Sequence, residues 1–372
     1  MRILHVYSGN LYGGIETLLA TLARRTDHIF ALCFEGRLSR ELPSWQALGE
    51  VRCSRPLTVR RARRNLKQLL ARENVDAMVC HASWSQALFA PVAREMGLAQ
   101  IFWLHDAIHQ RTWLDVWAAR HRPDVTIANS NFTAGTAAKL FPNVPVRIMH
   151  YPVEPPQAAP AARDVLELRK ELRTDADAVV IVQASRMERW KGQLLHLQAL
   201  AHLKDVNGWV CWMAGGAQRP GEAPYFAEMR ELAAKLGIAD RVRFLGQRND
   251  VPALLHASDI HCQPNAGPEP FGIAFIEALH HGLPVVTTAM GAAPEIVTED
   301  CGMLVEPTAE ALSSALRVLI GDRGLRQRLS AQGPARASAL CDPARQTAAL
   351  DSILRGCVNS RLEGSSHAHC LS

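Results

Sequence analysis

Two glutamates, Glu269 and Glu277, lie in a stretch that changes from proline-rich to helix-forming. The prolines on either side of Glu269 keep it in a loop, whereas residues 273–280 favour a helix. Gly272 would open that helix, and the unpaired N–H groups at a helix start bind anions. Because a carboxylate can accept from two neighbouring hydroxyl groups, Glu277 could hold a ribose and Glu269 the hydroxyls of a sugar.

Two cations, Arg186 and Lys191, follow the apolar segment 179–182. Ligands of parallel sheets collect at the carboxyl ends of the strands, so both cations would reach a ligand there. Two cations that face a helix N-terminus can clamp a diphosphate and take the leaving-group charge that Mg²⁺ would otherwise neutralise. The sequence therefore predicts a nucleotide-sugar site with no metal ion and no cofactor.

These residues must be positioned by parallel sheets, because short apolar segments alternate with longer helical patterns along the chain. Gly13 and Gly14 follow the first strand, where they allow close approach of the backbone to a ligand. The predicted class is α/β, with two Rossmann-like, doubly wound parallel-sheet domains that face a cleft. The predicted strands are residues 2–7, 29–34, 77–80, 101–104 and 125–128, then 179–182, 209–213, 242–245, 260–262 and 284–287.

Length and composition fit this organisation. The chain has 372 residues, 48% of them hydrophobic and 21% charged, which is enough to fill two cores. No apolar run approaches the length of a membrane span or a signal peptide, so we expect a cytoplasmic protein. The nine cysteines are scattered and form no Cys-x-x-Cys pair, which predicts reduced thiols.

Positive charge is concentrated in one segment. Eight basic residues and no acidic one lie between Arg52 and Arg72, whereas the formal net charge of the whole chain is +5. A helical pattern over residues 60–72 would turn its leucines inward and its arginines outward. This surface is either a solvated helix face or a contact with an anionic membrane, through Arg60, Arg61, Arg63 and Arg64. Binding to nucleic acid is not expected, since no aromatic residue interrupts the segment to stack bases.

The spacing of these motifs resembles the retaining GT-B glycosyltransferases of family 4, which carry a Glu-x7-Glu motif. Here the motif runs from Glu269 to Glu277. The resemblance extends over nearly the whole chain. It includes the motifs Gly13-Gly14-Ile15-Glu16, His105-Asp106, Asn129-Ser130 with Phe132, Arg186, Lys191-Gly192, and the segment 291–295.

The resemblance implies a role for each matched residue. Glu277 would bind the donor ribose and Glu269 the transferred sugar, while Arg186 and Lys191 would bind the diphosphate. His105 would face the donor sugar from the first domain. The backbone N–H groups of Phe271, Gly272 and Ile273 would lie near Glu269 and the transferred sugar.

The same resemblance implies retention of anomeric configuration without a dedicated base. Its partners would be a nucleotide sugar and a glycan or lipid-linked acceptor, at the inner face of the membrane if the basic helix docks there. The sequence departs from the family at residues 150–153, where many members carry Asn-Gly. The predicted domains are 1–150 (acceptor side), a linker at 151–162, 163–340 (nucleotide sugar), a helix at 341–358 that crosses back to the first domain, and a disordered tail at 359–372.

Two other functions stay open at this point. A sugar-nucleotide epimerase or hydrolase could use the same fold, but it would need a further acid/base pair or a positioned water. A non-catalytic module could use the basic segment to bind membrane or nucleic acid. For single residues the competing interpretation is structural: Arg186 and Lys191 could start a solvated helix, and His105 could be a packed histidine at the end of a strand.

Overall fold

The computed structural model describes residues 1–9, 13–156, 161–217 and 222–369. The chain divides into two compact units, one formed by Met1–Val153 with Asp342–Ser372 and the other by Glu154–Cys341. In the predicted linker, Tyr151 and Val153 are buried, whereas residues 157–160 lie outside the described residues. Within the described ranges, no helix combines the length and the apolarity that a bilayer span requires.

The described part of the first unit holds one parallel sheet of seven strands in the order β3-β2-β1-β4-β5-β6-β7. Its central strands are buried throughout, as expected for a sheet covered by helices on both faces. The order reverses beside β1, which makes the sheet doubly wound. The strands are β1 (Ile3–Tyr7), β2 (Ile29–Leu32), β3 (Gln46–Ala47), β4 (Ala77–His81), β5 (Ala99–Leu104), β6 (Val125–Ala128) and β7 (Val146–Ile148). The helices are α1 (Gly14–Arg25), α2 (Arg37–Glu41), α3 (Pro56–Glu73), α4 (Ala82–Glu95), α5 (Trp113–Ala118) and α6 (Asn131–Ala134), with a 3-10 turn at Ala137–Lys139.

The described part of the second unit repeats this topology with six parallel strands in the order β10-β9-β8-β11-β12-β13. Here the order reverses between β8 and β11, where ligands of doubly wound sheets bind. The strands are β8 (Val179–Ala184), β9 (Trp209–Ala214), β10 (Val242–Gly246), β11 (Ile260–Gln263), β12 (Val285–Thr288) and β13 (Gly302–Val305). The helices are α7 (Ala162–Glu171), α8 (Gln193–Ala201), α9 (Glu222–Lys235), α10 (Val251–His256), α11 (Ile273–His280), α12 (Ala293–Ile296), α13 (Ala309–Gly321) and α14 (Arg323–Cys341), with a 3-10 turn at Arg189–Lys191.

The predicted fold class is confirmed, because both sheets are parallel and doubly wound. Three strands were not predicted from the sequence, namely β3, β7 and β13. β3 has two residues, and β7 and β13 are partly exposed, so these strands lack the continuous apolar run that identifies a buried strand. All three lie at sheet edges, where pairing with a neighbour rather than burial defines the strand.

The last helix, α15 (Pro343–His369), belongs to the same unit as the first sheet. Leu350 and Leu354 are completely buried, and Arg361 donates to the Asp124 carboxylate and to the Gly97 carbonyl. The structure describes this helix as far as His369, past the predicted helix end at residue 358. Beyond residue 358 the polar contacts of Arg361 hold the helix. The spacing of apolar residues in the sequence does not indicate such contacts. Residues 370–372 of the predicted tail lie outside the described residues.

Helix α3 carries the basic segment, and its apolar side packs on the sheet as predicted. Leu66, Leu69 and Leu70 join the core beneath α3 and α4. One expectation is wrong: Arg63 does not point outward. Its Nε donates to the Leu88 carbonyl at 2.7 Å, and burial lowers the pKa of its guanidinium. The guanidinium also donates to the Ala87 carbonyl, and both carbonyls belong to α4, so Arg63 links α3 to α4. Arg60, Arg61 and Arg64 are exposed.

Candidate functional site

An ion pair at the carboxyl ends of β8 and β11 brings two of the predicted residues together. Lys191 Nζ lies 2.7 Å from Glu269 Oε2, and the side chains are 13% and 7% exposed. Lys191 follows β8 and Glu269 follows β11, so the pair lies where the strand order of the second sheet reverses. This edge is the expected ligand position for such a sheet.

Gly192 allows the two loops to meet. It has φ +72°, and a Cβ there would lie 1.7 Å from the Pro264 carbonyl oxygen. The Ala266 N–H donates to the Trp190 carbonyl at 2.8 Å, which joins the same two loops. A side chain at position 192 would push these loops apart, so the glycine after Lys191 is required by packing as well as by backbone conformation.

Glu269 is held on one oxygen. Its Oε2 accepts hydrogen bonds from Lys191 Nζ, Asn265 Nδ2 and Gln263 Nε2, at 2.7, 2.9 and 3.3 Å. Among the described residues, Oε1 accepts none. The carboxylate is therefore oriented by its protein partners and keeps one oxygen for a hydroxyl donor.

The main chain of Glu269 is also fixed. Its carbonyl accepts from the Ala292 N–H at 2.7 Å, and the residue forms a parallel bridge with Gly291. Gly291 has φ +65°, and a Cβ there would lie 2.3 Å from the Glu269 carbonyl oxygen. The glycine of the 291–295 segment thus allows a second loop to press against the glutamate.

The start of α11 supplies free backbone donors. Gly272 precedes this helix with φ +105°, and its carbonyl accepts from the Phe275 N–H at 3.0 Å. In the described ranges, the N–H groups of Gly272, Ile273 and Ala274 have no hydrogen-bond acceptor. Phe271, predicted to contribute as well, is buried beside them. Because the positive end of the helix dipole lies here, the arrangement suits a phosphate.

Glu277 lies one turn further into α11. Its side chain is partly buried, and burial raises the pKa of its carboxyl from 4.5 to about 7. No donor within the described residues contacts this carboxylate. A desolvated acid without a partner costs stability, which is typical of a residue kept for a ligand.

Arg186, which was predicted to bind the diphosphate, forms an ion pair with a neighbouring glutamate. Its guanidinium lies 3.0 Å from Glu188 Oε2, which also accepts from Trp190 Nε1 at 2.9 Å. The Lys191 ammonium lies 3.9 Å above the Trp190 ring. Glu188 therefore neutralises one predicted phosphate ligand and Glu269 the other. The sequence places Glu188 only two residues from Arg186, but sequence analysis did not identify this partner.

Metal-binding geometry is not found among the described residues, which contain no cluster of three or more histidine, cysteine, aspartate or glutamate side chains able to hold an ion. Asp175 and Asp177 have Asp-x-Asp spacing, a common arrangement for a divalent metal. Both are exposed and precede β8, whereas Lys191 follows it. A strand of this length spans about 20 Å, so these aspartates lie at the amino end of β8 and the ion pair lies at its carboxyl end.

In the first unit, Gly13 and Gly14 open α1, whereas residues 10–12 lie outside the described residues. The Gly13 N–H donates to Glu16 Oε2 at 2.8 Å, and the Tyr7 hydroxyl donates to the other oxygen of the same carboxylate. Glu16 is buried. The Gly13 N–H is therefore engaged within the protein.

His105 is also engaged within the first unit. It is 4% exposed, its Nε2 lies 3.0 Å from His81 Nδ1, and its Nδ1 contacts the Tyr151 hydroxyl. Its carbonyl accepts from Asn129 Nδ2 at 2.8 Å. Burial lowers the pKa of His105 to about 3, so the ring is neutral. Contact between this ring and a sugar would require one of these hydrogen bonds to open.

The hydrogen bonds continue from His105 across the sheet. His81 Nε2 lies 2.9 Å from His5 Nδ1, and His5 Nε2 lies 2.9 Å from His28 Nδ1. The four imidazoles come from or beside the adjacent strands β2, β1, β4 and β5. Burial lowers the pKa of His5 and His81, and lowers that of His28 to about 4. Sequence analysis missed this row, because it depends on strand order.

Comparison with known proteins adds to this geometry. Residues 164–336 match the family model described as glycosyl transferases group 1. The chain is 30% identical over 243 residues to the lipopolysaccharide core biosynthesis mannosyltransferase LpsB of Rhizobium meliloti, covering 63% of this chain and 67% of that protein. It is 28% identical over 287 residues to a GDP-mannose-dependent alpha-(1-6)-phosphatidylinositol monomannoside mannosyltransferase of Mycobacterium tuberculosis, covering 72% of each.

Solved structures show the same fold. Anabaena HepE in complex with UDP-glucose matches with a TM-score of 0.85 at 23% identity, over 96% of this chain and all of that one. The lipopolysaccharide biosynthesis glycosyltransferase WaaG matches with a TM-score of 0.69 at 18% identity, over 93% of this chain and 98% of the other. The two parallel-sheet units and these similarities identify the architecture as GT-B.

Proposed function

Because the chain belongs to the glycosyl transferases group 1 family and is a glycosyltransferase, we propose that it transfers a sugar with retention from a nucleoside-diphosphate sugar. The strongest support is the oriented Glu269 carboxylate, which lies beside the free N–H groups of Gly272 and Ile273. Both features lie at the carboxyl ends of β8 and β11, where the strand order reverses. One feature binds hydroxyls and the other binds phosphate, and a nucleotide sugar carries both groups.

The second unit offers a position for each part of the donor. The diphosphate lies at the start of α11, where Lys191 and Arg186 exchange part of their contact with Glu269 and Glu188 for phosphate oxygens. Glu277 accepts from the ribose hydroxyls, since a partner restores the charged form of its carboxylate. Glu269 Oε1 accepts from the transferred sugar.

The reaction proceeds as a front-face displacement. The bond from the anomeric carbon to the phosphate oxygen breaks, and a bond to the acceptor oxygen forms on the same face. The acceptor proton passes to the departing phosphate, so no side chain of the protein has to act as base. Negative charge grows on the diphosphate during this step, and the α11 N–H groups with Lys191 and Arg186 stabilise it. On this basis the enzyme needs neither a metal ion nor a cofactor.

NMR of the first-formed product tests this proposal. Purified protein is incubated with nucleotide sugars and a simple glycoside acceptor, and the new anomeric signal is compared with that of the donor. We expect the same configuration in donor and product, and unchanged activity with excess EDTA. Inversion would exclude the retaining mechanism, and loss of activity in EDTA with rescue by Mg²⁺ or Mn²⁺ would exclude the metal-free one.

The acceptor proposed here is a glycan or a lipid-linked glycan. The named relatives act in lipopolysaccharide core synthesis and on a phosphatidylinositol mannoside, as their names state. The first unit also carries a surface suited to a bilayer. Leu57 and Trp113 are 75% and 66% exposed, and Arg60, Arg61 and Arg64 are exposed on α3.

The apolar and basic parts of this surface are adjacent. Helix α3 packs on α4 and α4 packs on α5, while the Trp84 ring contacts both Trp113 and Trp117 edge-on. Aromatic and basic side chains together favour the interface of an anionic membrane. We therefore place the enzyme in the cytoplasm, reversibly bound at the inner face of the membrane, with no role for nucleic acid.

A further inference from the structure

Two buried amides, Gln263 and Asn265, donate to the same carboxylate oxygen as Lys191. Asn265 Nδ2 lies 2.9 Å from Glu269 Oε2, and Gln263 Nε2 lies 3.3 Å from it. Both amide residues are completely buried, and neither was assigned a role from the sequence. An amide is a neutral donor, so the two side chains hold the oxygen without cancelling the negative charge of the carboxylate.

The orientation of both amides follows from these contacts. An ionised carboxylate only accepts hydrogen bonds, so the amide atoms that face Glu269 are nitrogens. The oxygen of the Asn265 amide then accepts from Gln263 Nε2, at 3.0 Å. The three hydrogen bonds agree with one another, and they leave one arrangement for the pair of amides.

The main chain that carries the amides is attached to the neighbouring strand β12. Thr287 Oγ1 donates to the Gln263 carbonyl at 2.8 Å, and Thr288 Oγ1 donates to the Asn265 carbonyl at 2.7 Å. Both threonines are completely buried. The Asn265 N–H also donates to the Gln263 carbonyl, at 3.0 Å. The amides are therefore held from a fixed backbone as well as by each other.

Lys191 is attached to Glu269 in a different way. Its ammonium has three donors on a flexible stem, and among the described residues one of them is used, in the contact with Glu269 Oε2 at 2.7 Å. The proposed function directs the other donors to the diphosphate. Movement of the ammonium toward phosphate would weaken its hold on the carboxylate, whereas the amides have no such second task.

We propose that Gln263 and Asn265 are positioning residues, which keep Glu269 Oε2 in place while Lys191 turns toward the diphosphate. Oε1 then stays aimed at the transferred sugar. The inference rests on the proposed function for this contact between Oε1 and the sugar. The burial of Gln263 supports it, because its Oε1 has no donor within the described residues. A buried oxygen of this kind costs stability, so an apolar residue would suit folding at least as well.

Crystal structures of the wild type and of Lys191→Met test the proposal without any activity. We expect the Glu269 carboxylate of the variant to stay within about 0.5 Å of its position in the wild type, with both amide contacts intact. A carboxylate that turns away from the amides once Lys191 is replaced would overturn the proposal, since the lysine would then be the anchor.

Asn265→Asp tests the same point in a protein that keeps Lys191. The change preserves the shape of the side chain but places a second carboxylate beside Glu269. We expect kcat at about pH 8 to fall about 100-fold, and to recover relative to the wild type near pH 5, where one proton joins the two carboxylates. Wild-type kcat at pH 8 would show that only the shape of Asn265 matters and would overturn its role.

Gln263→Leu separates positioning from stability. We expect kcat to fall about tenfold, with the Kd for free nucleotide within about twofold and a melting temperature no lower than that of the wild type. Ser258→Ala is the matched control, because it removes another buried hydrogen bond of the second unit, to the Leu254 carbonyl. It should lower the melting temperature and leave kcat unchanged. A Gln263→Leu variant with unchanged kcat would contradict the proposal.

The two kinds of measurement separate this inference from the proposed function. Absence of sugar transfer by the wild type would refute the proposed function, and the crystal structures would still show whether the amides hold Glu269. Transfer by the wild type together with a displaced carboxylate in Lys191→Met would refute the inference alone.

Discussion

At the scale of single residues, the two glutamates of the Glu-x7-Glu motif differ in their surroundings. Glu269 is oriented by Lys191, Asn265 and Gln263, whereas no described donor contacts Glu277. A group held in place by three donors suits a reacting sugar, and a desolvated carboxylate suits a ribose. Their substitutions should therefore affect different steps.

Glu269→Gln is expected to lower kcat by about 100-fold or more and to leave the Kd for free nucleotide within about threefold, because free nucleotide has no sugar. Glu277→Ala should raise that Kd by about 10- to 100-fold, the usual effect of losing hydrogen bonds to a charged group. Isothermal titration calorimetry and initial rates measure both. Glu299→Gln, exposed in the same unit, is the control. Equal nucleotide affinities of the two variants would contradict these roles.

Glu277 also predicts how stability depends on pH. Its folded pKa of about 7 is above the ordinary 4.5, so the folded state binds this proton more tightly than the unfolded state. The contribution of this group to stability is present below pH 4.5 and is lost as pH rises through 7.

Glu277→Gln should therefore be more stable than wild type at pH 8, by on the order of 1–3 kcal/mol, and similar to it near pH 4.5. Water screens the charge of this partly exposed side chain, which weakens the effect. Urea unfolding of wild type and variant at several pH values measures the difference. A difference that stays constant with pH would mean that the pKa of Glu277 is not raised.

At the scale of elements, helix α3 separates arginines that look equivalent in the sequence. Arg60, Arg61 and Arg64 face solvent, whereas Arg63 donates to carbonyls of α4. Substitution of the exposed arginines should therefore change membrane binding, whereas substitution of Arg63 should change stability.

Replacement of Arg60, Arg61 and Arg64 by glutamine should weaken binding to anionic vesicles by about 100-fold, at about 1 kcal/mol for each charge. Arg63→Gln should instead lower the melting temperature with little loss of vesicle binding. Sedimentation with phosphatidylserine vesicles at low and high salt measures the first effect. The charge-matched control replaces Arg163, Arg323 and Arg328, which are exposed in the second unit. A wild type that ignores anionic vesicles at low salt would make α3 a solvated face and favour a soluble acceptor.

At the scale of the whole molecule, the chain leaves the first unit at Val153 and returns to it at Asp342. The returning helix α15 places Leu350 and Leu354 in that unit with no exposed surface. The first unit therefore contains two segments that are distant in sequence, and its stability should depend on the end of the chain.

Removal of the chain from Asp342 should lower the unfolding temperature of the first unit, and Leu354→Ala should cost about 2–5 kcal/mol by leaving a cavity. Differential scanning calorimetry of each variant measures this effect. Arg355→Ala, next in sequence and paired with Asp351 on the helix surface, should cost less than about 1 kcal/mol. An unchanged melting profile after truncation would show that α15 does not stabilise the first unit.

The sequence by itself determined the fold class, the strands of both sheet centres and the family resemblance. These follow from local information: apolar runs identify buried strands, glycines follow strand ends, and Glu-x7-Glu spacing needs no tertiary contact. It also showed that Leu66, Leu69 and Leu70 form the inner face of α3, since helical period alone specifies a face.

Only the tertiary structure decided which groups meet. Lys191 and Glu269 are 78 positions apart, and they contact each other because β8 and β11 are neighbours in the sheet. The row from His28 to Tyr151 likewise depends on the strand order β2-β1-β4-β5, which no local pattern encodes. Arg63 turns inward because α4 packs beside α3 and offers carbonyls. Pairing, charge neutralisation and pKa depend on distances between elements, and those distances arise when the chain packs.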